Sequence, residues 1–373
     1  MNNHIKIIFK YCNCLENLLL LIVLKYEQMS IKIYFICALL IYNYLGFCQM
    51  KKVKDYKKIH KDAIVVDMHN DLLSKSKNYD WSKKNKVNHT DIPRLIEGGI
   101  DVQFLAIWVS PRVKKPFERG LEYAKLFYKR CEENKNKVGI AKKYDDIINL
   151  NKDGKIALIL CIEGGNVIEG DVKKLIEFYN LGARYLTITW NKSYDWAYSA
   201  KDKNSKKKGL SSKGKKIIQT MDSLGMIIDI SHTGSKTIDD ILKITKNPII
   251  ASHSGSYTLR PHYRNLTDDQ IKAIARTGGV IGVNFCGPFL VESGAATVKD
   301  VVNHIDYIVK LVGVDYVGLG SDFDGILTTP QGLEDVSKYP AITKELLNRG
   351  YSETDIKKIL GGNLLRVFKT VCK

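Results

Sequence analysis

Five side chains of the kind that hold metal ions, and one further carboxylate, stand directly behind short apolar runs in this chain. His69 and Asp71 follow Ala63–Met68, Glu163 follows Ile156–Ile162, His232 follows Met226–Ser231, His253 follows Pro248–Ser252, and Asp322 follows Val317–Ser321. Taken singly, each has an ordinary explanation. A histidine at a strand end is usually a hydrogen-bonded structural residue, and a carboxylate there can cap a helix. The joint pattern points elsewhere. Strand alternation puts Asp67, His69 and Asp71 on one side, so His69 and Asp71 can reach the same ion. Glu163 leaves an almost wholly apolar run, and a carboxylate in that position needs a cation or several donors. Three histidine or carboxylate ligands with an open position is how catalytic zinc is bound. Five ligands serve two zinc ions if one carboxylate bridges, and Glu163, lying between the two groups, is the natural bridge. His69 and Asp71 would complete one site, His232 and His253 the other. Two ions about 3.5–4 Å apart clamp an oxygen-rich transition state.

Residues so far apart in sequence meet only if the fold gathers strand ends. Three more apolar runs, Val102–Trp108, Arg184–Thr189 and Val280–Phe285, bring the total to eight, with amphipathic stretches such as Arg119–Asn134 and Lys213–Leu224 between them. This alternation predicts a single-domain α/β fold, a (β/α)8 barrel whose strands present their carboxyl ends on one face. The chain has 373 residues, 45% of them hydrophobic, which is ample for one large core, and no Pro/Ser-rich linker divides it. Gly318 and Gly320 fall on the strand face of Asp322 and are expected to leave room for a ligand beneath it.

The first 48 residues differ from the rest. Lys32, the apolar Ile33–Leu45 and Gly46-Phe47-Cys48 have the parts of a secretory signal, with Met29 as its natural start, so residues 1–48 read as a leader and 49–373 as the barrel domain. The alternatives are an uncleaved anchor and lipid attachment at Cys48. Four cysteines remain beyond the leader, Cys131, Cys161, Cys286 and Cys372; none has zinc-knuckle spacing, and no disulfide framework is expected. The net charge of +18 comes from lysines spread along the chain, densest at Lys201, Lys203 and Lys206–Lys208. No aromatic residues interleave with that cluster, so no nucleic-acid partner is expected. A basic surface can instead hold an exported protein near membrane lipid or cell-envelope polymer.

Several segments resemble the membrane dipeptidase (renal dipeptidase) family of zinc peptidases. They are VVDMHNDLL at 65–73, CIEGGNVIEG at 161–170, RYLTIT at 184–189, GLSSKGKKIIQTMDSLGMIIDISH at 209–232, PIIASHS at 248–254, RNLTDDQ at 264–270, GGVIGVNF at 278–285, GLGSDFDG at 318–325 and QGLEDVSKYP at 331–340. With ELLNRGYSETDIKKILGGNLLRVF at 345–368 they cover nearly everything from about residue 60 onward. The resemblance implies two zinc ions held by His69, Asp71, Glu163, His232 and His253, with Glu163 bridging. It also implies that Arg264 binds the substrate's carboxylate, that Asp322 handles the proton, and that the protein is a homodimer. An arginine fork suits a free carboxylate, whereas a surface ion pair with Asp268 or Asp269 is the ordinary alternative for Arg264. One position departs from the better-known animal pattern, where the fourth strand ends in Thr-His: here Thr189 is followed by Trp190. An indole donates one hydrogen bond and cannot titrate, so Trp190 is either a substrate contact or a structural cover at the barrel mouth.

The expected function is hydrolysis of dipeptides by an exported zinc enzyme, with tolerance at the C-terminal residue implied by the resemblance alone. Two other readings compete. A dinuclear hydrolase of cyclic amides or lactams typically opens with His-x-His, whereas this chain offers His69-Asn70-Asp71. A non-catalytic, polyanion-binding barrel would have no physical need for five converging metal-binding groups.

Overall fold

The computed structural model describes residues 55–75 and 79–373, and the leader expected over residues 1–48 lies outside them. Nine strands appear in the order β1 (Val66–Asp67), β2 (Val102–Trp108), β3 (Val138–Ile140), β4 (Ile156–Glu163), β5 (Tyr185–Thr187), β6 (Ile227–Asp229), β7 (Ile250–Ser254), β8 (Val280–Val283) and β9 (Val317–Leu319). All eight expected runs supply strands, and every pairing is parallel, in the order β1-β2-β4-β5-β6-β7-β8-β9. The barrel closes where the Met68 amide donates to the Leu319 carbonyl at 2.9 Å and the Asp322 amide to the His69 carbonyl at 3.1 Å. The fold class expected from the sequence is therefore the one observed.

Two expectations need correction. The strand β3 escaped the sequence reading because it has only three residues, two of them half-buried, and it pairs with β4 outside the ring. The glycines before Asp322 do not make room for a ligand. A Cβ on Gly320 would lie 1.8 Å from the Ser252 carbonyl oxygen, and one on Gly318 3.1 Å from the Met68 sulfur. Gly320 lacks a side chain because the backbone of β7 comes against it, and Gly318 because the barrel core already fills the space.

Period-two alternation sorts the strand residues into two cores. Val102, Phe104 and Ala106 of β2, with Ala157, Ile159 and Cys161 of β4, pack with Tyr185, Ile227, Ile250 and Val280. Leu364, Val367 and Phe368 of the helix Asn363–Val371 join this inner cluster. Leu105, Ile107, Leu158, Leu160 and Ile162 face the other way, among helical residues such as Phe127, Phe178, Ile217 and Ile308. The two amphipathic stretches read from the sequence form helices over Pro116–Glu133 and Ser212–Leu224; the Ser211 side chain caps the second at the Gly214 amide. Among the described residues no helix is long and apolar enough to cross a membrane, and all four cysteines are free.

Candidate metal centre

The same alternation that fills the barrel also aims its polar residues. Glu163 ends β4 on the face of Ala157, Ile159 and Cys161, so its carboxylate emerges inside the mouth. His232 and His253 would face outward on strict alternation, and each is turned in by a local irregularity. His232 has a left-handed backbone, φ 63°, and His253 lies where the β7–β8 register shifts between Ala251 and Ser254. Asp322 and Asp324 are also left-handed, at φ 61° and 67°. Only four non-glycine residues have positive φ among those described, and two of them, His232 and Asp322, line this mouth, where such strain commonly marks a working site.

All six residues singled out for metal or proton chemistry meet there, each less than 9% exposed. The Nε2 of His232 is 3.0 Å from Glu163 Oε1, that of His253 is 3.4 Å from the same oxygen, and that of His69 is 3.7 Å from Oε2. His69 Nε2 also lies 3.6 Å from Asp71 Oδ2. Ligand atoms of His69, Glu163 and His253 fall within 4.8 Å of one another, and so do those of His69, Asp71 and Asp322. The second grouping differs from the sequence expectation, which kept Asp322 apart from the ligands. Asp67, read as sharing a strand side with His69 and Asp71, instead supports the wall: it accepts from the Ser321 amide and hydroxyl at 2.8 and 2.7 Å and from Gln103 Nε2 at 3.0 Å.

Hydrogen bonds behind the imidazoles decide which nitrogen faces the centre. The Tyr185 hydroxyl donates to the Met68 carbonyl, so its oxygen accepts from His69 Nδ1 at 2.6 Å. Ser252 Oγ donates to Asp229 Oδ2 and accepts from His253 Nδ1 at 2.7 Å. The amide oxygen of Asn191 accepts from His232 Nδ1 at 3.1 Å. Each ring thus carries its proton on Nδ1 and turns a bare Nε2 inward, the arrangement that supporting residues impose on metal-binding histidines. The bare nitrogens of His232 and His253 stand 3.1 Å apart, and His69 Nε2 is buried with no hydrogen-bond partner. Facing lone pairs repel, and a buried orphan nitrogen is costly; a divalent cation resolves both. The donor set therefore fits metal.

Charge in the pocket agrees with this. Burial, then the cation of Arg264, lowers the His232 imidazole to about 3; burial, then His69, holds His253 well below its ordinary value. Both imidazoles are neutral at physiological pH. Burial disfavours a charged His69, yet Glu163 and Asp71 beside it raise it well above the usual range. The carboxylates demand positive charge at that spot. Burial together with Asp71 and Glu163 lifts Asp322 to about 8, against the pull of His69, while Asn284 Nδ2 donates to it at 2.9 Å. A carboxyl poised in this range can carry a proton at neutral pH.

Arg264 is 3% exposed. Its Nη2 donates to the His253 carbonyl at 3.0 Å, while Nε and Nη1 are buried without partners. It makes no ion pair with Asp268, which accepts from Thr258 and Tyr307 instead, nor with Asp269. A buried guanidinium with two uncommitted N–H groups is suited to an incoming anion. Trp190 lines the cavity of about 440 Å³ over the centre, edge-on to Trp108 at 5.1 Å and 6.2 Å from the His232 ring. Trp108, Phe289, Ile326 and Leu327 supply much of the remaining wall.

The membrane dipeptidase (peptidase family M19) sequence model matches residues 53–373. The chain belongs to this family. A curated but uncharacterised dipeptidase of Schizosaccharomyces pombe is 34% identical over 340 residues, covering 84% of this chain and 82% of that protein. Among solved structures, a metallopeptidase of Rhodobacter sphaeroides, holding a phosphinate mimic of the dipeptide L-Ala-D-Ala, superposes with a TM-score of 0.78 at 27% identity. It covers 83% of this chain and all of that one. A probable dipeptidase of Pseudomonas aeruginosa gives 0.78 at 26% identity, covering 85% and 97%. As a membrane dipeptidase, the chain is a metal-dependent peptidase acting on dipeptide-like substrates.

The sequence reading passed over the groups behind the ligands: Tyr185, Asp229, Ser252, Asn191 and Asn284. Asp229 is the centre of one such network, accepting from the Ser231 and Ser252 amides at 3.0 and 2.8 Å and from the Thr187 and Ser252 hydroxyls. Tyr185 offers a direct test. In Tyr185→Phe the ring keeps its packing on Phe104 while His69 Nδ1 loses its acceptor. Metal affinity is expected to fall about 10–100-fold, measured by competition with a chelating dye, with little change in melting temperature.

Proposed function

We propose that this membrane dipeptidase hydrolyses dipeptides with two zinc ions per chain, bridged by Glu163. His69 and Asp71 complete one site, and His232 and His253 the other. The observation that carries the reading is the convergence of three inward-facing Nε2 atoms on one buried glutamate, with an uncommitted Arg264 fork beside them. When bound, the two ions supply Lewis acidity and lower the pKa of a water molecule. The remaining work falls to this chain's own residues. Arg264 holds the C-terminal carboxylate and so fixes which peptide bond lies over the centre. Asp322 accepts the proton released by the attacking water and returns it to the leaving amine. Trp190 and Trp108 cover the mouth and pack against the substrate's apolar surface. Trp190 stands where the animal relatives carry histidine; its carbonyl accepts from Ser199 Oγ at 2.6 Å, which ties the loop down and leaves the indole at the cavity wall.

The test is hydrolysis of a dipeptide panel by the purified, metal-loaded protein, with elemental analysis of the same sample. Two equivalents of zinc, activity lost on chelation and restored by zinc, are the expected results. One equivalent in a fully active sample would remove the bridging arrangement. Export toward a membrane or cell envelope is also proposed, supported by Lys32, the apolar Ile33–Leu45 and the net charge of +18. A mature protein beginning at Gln49 in the extracytoplasmic fraction is the expected result; an intact N-terminus would contradict cleavage.

A further inference from the structure

A second cavity, of about 370 Å³, adjoins the metal mouth, and the two share His232 as a wall. Arg264 lines this second cavity and lies over the Phe289 ring, a wall of the first, at 5.6 Å. The two spaces differ in charge. Asp71, Glu163 and Asp322 line the metal mouth, whereas among the described residues no Asp or Glu lines its neighbour. Instead it carries Arg264, Lys206 and a ring of neutral polar groups from Thr233, Ser235, Tyr257 and Gln270. Lys206 is exposed and makes no ion pair among the described residues. Arg264 contributes two buried N–H groups without partners. A concave site with two cations, several hydroxyl and amide groups and no carboxylate attracts anions.

We propose that this cavity receives the side chain of the substrate's C-terminal residue and that it selects an acidic one, aspartate or glutamate. The inference rests on the dipeptidase reading above. If Arg264 grips the terminal carboxylate, the side chain on the same carbon must enter a space that Arg264 borders, and this cavity is that space. One guanidinium cannot serve two carboxylates well, so the second charge falls to Lys206 at the rim. The N-terminal residue then lies in the metal mouth against Trp108, Trp190 and Ile326.

The test compares Leu-Glu with Leu-Gln, which differ in charge while nearly matching in shape. The metal-loaded wild-type protein is expected to cleave Leu-Glu with a kcat/KM about tenfold or more above that for Leu-Gln. Raising the ionic strength from about 0.1 M to about 1 M, which cuts the Debye length from ~10 Å to ~3 Å, should shrink that ratio. Lys206→Glu should reduce it to one or below, and Lys206→Met should give an intermediate value. Because Lys206 is exposed, these variants are expected to fold, and an unchanged circular-dichroism melting curve verifies it. Equal rates on the two substrates, or a preference that survives Lys206→Glu, would overturn the assignment while leaving the dipeptidase reading intact. Hydrolysis of neither substrate, nor of any other dipeptide, would overturn both.

Discussion

Glu163→Gln is expected to abolish turnover and release metal from the chain, whereas Asp322→Asn is expected to slow turnover with the metal retained. The substitution at Glu163 keeps shape and volume and removes one charge. That charge is shared: one carboxylate oxygen faces both His232 and His253, and the other faces His69. A carboxamide presents an NH2 group on one side, so either the histidine pair or His69 would meet a donor where a cation belongs. Burial adds to the loss. Glu163 is 3% exposed, and the positive charge favoured at His69 beside it holds its carboxyl well below the ordinary range despite burial, so the site is built for its anionic form. A general acid or base typically contributes about 10²–10⁴-fold; the loss at Glu163 is expected to exceed the upper end of that range. Metal content measured alongside kcat for both variants decides the matter. Glu163→Gln with two equivalents of metal and near-normal turnover would exclude the bridge. Loss of metal from Asp322→Asn would instead move Asp322 among the ligands, where its proximity to His69 and Asp71 would account for the effect.

The sequence discloses residue types and strand ends, and the ligands are of that kind. Each follows an apolar run, so strand alternation and the rule that parallel barrels gather carboxyl ends were enough to bring His69, Asp71, Glu163, His232, His253 and Asp322 together. What alternation could not supply is the aim of His232 and His253. Both depend on backbone departures, a left-handed residue and a register shift, that no local pattern announces. The glycines illustrate the converse. Gly318 and Gly320 look like space for a ligand, but Gly320 accommodates the Ser252 carbonyl displaced by that same register shift, and Gly318 packs against Met68 and Val280. The supporting network was missed for a different reason. Asp229 ends the short strand β6 and Ser252 closes the run Pro248–Ser252, and a buried carboxylate in Asp229-Ile230-Ser231-His232 was itself a signal, since such a group requires several donors. Tyr185 carries no comparable mark, because a tyrosine in a strand ordinarily serves packing.

Arg264 separates a dipeptidase from a hydrolase of cyclic amides, and its test turns on what the guanidinium faces. The surface pairing with Asp268 or Asp269 is absent, and burial leaves Nε and Nη1 with nothing to bind in the protein itself. Burial is also the largest influence on the group, pulling its pKa down, with Asp322 and Glu163 opposing, so the cation is held by the electrostatics of the mouth. A substrate carboxylate completes it. Charge-assisted contacts are worth about 1.5–3 kcal/mol, or roughly ten- to a hundredfold in kcat/KM. Arg264→Ala is therefore expected to lose at least that much on a dipeptide and far less on the same peptide with an amidated C-terminus, itself a poor substrate. The variant also removes the bond from Nη2 to the His253 carbonyl, which would disturb both substrates alike. Arg264→Lys isolates the fork: it retains the charge, loses the two-pronged geometry, and should recover only part of the activity on the free acid. Equal losses on the acid and the amide in both variants would make Arg264 a prop for β7, and the dipeptide would have to be anchored elsewhere.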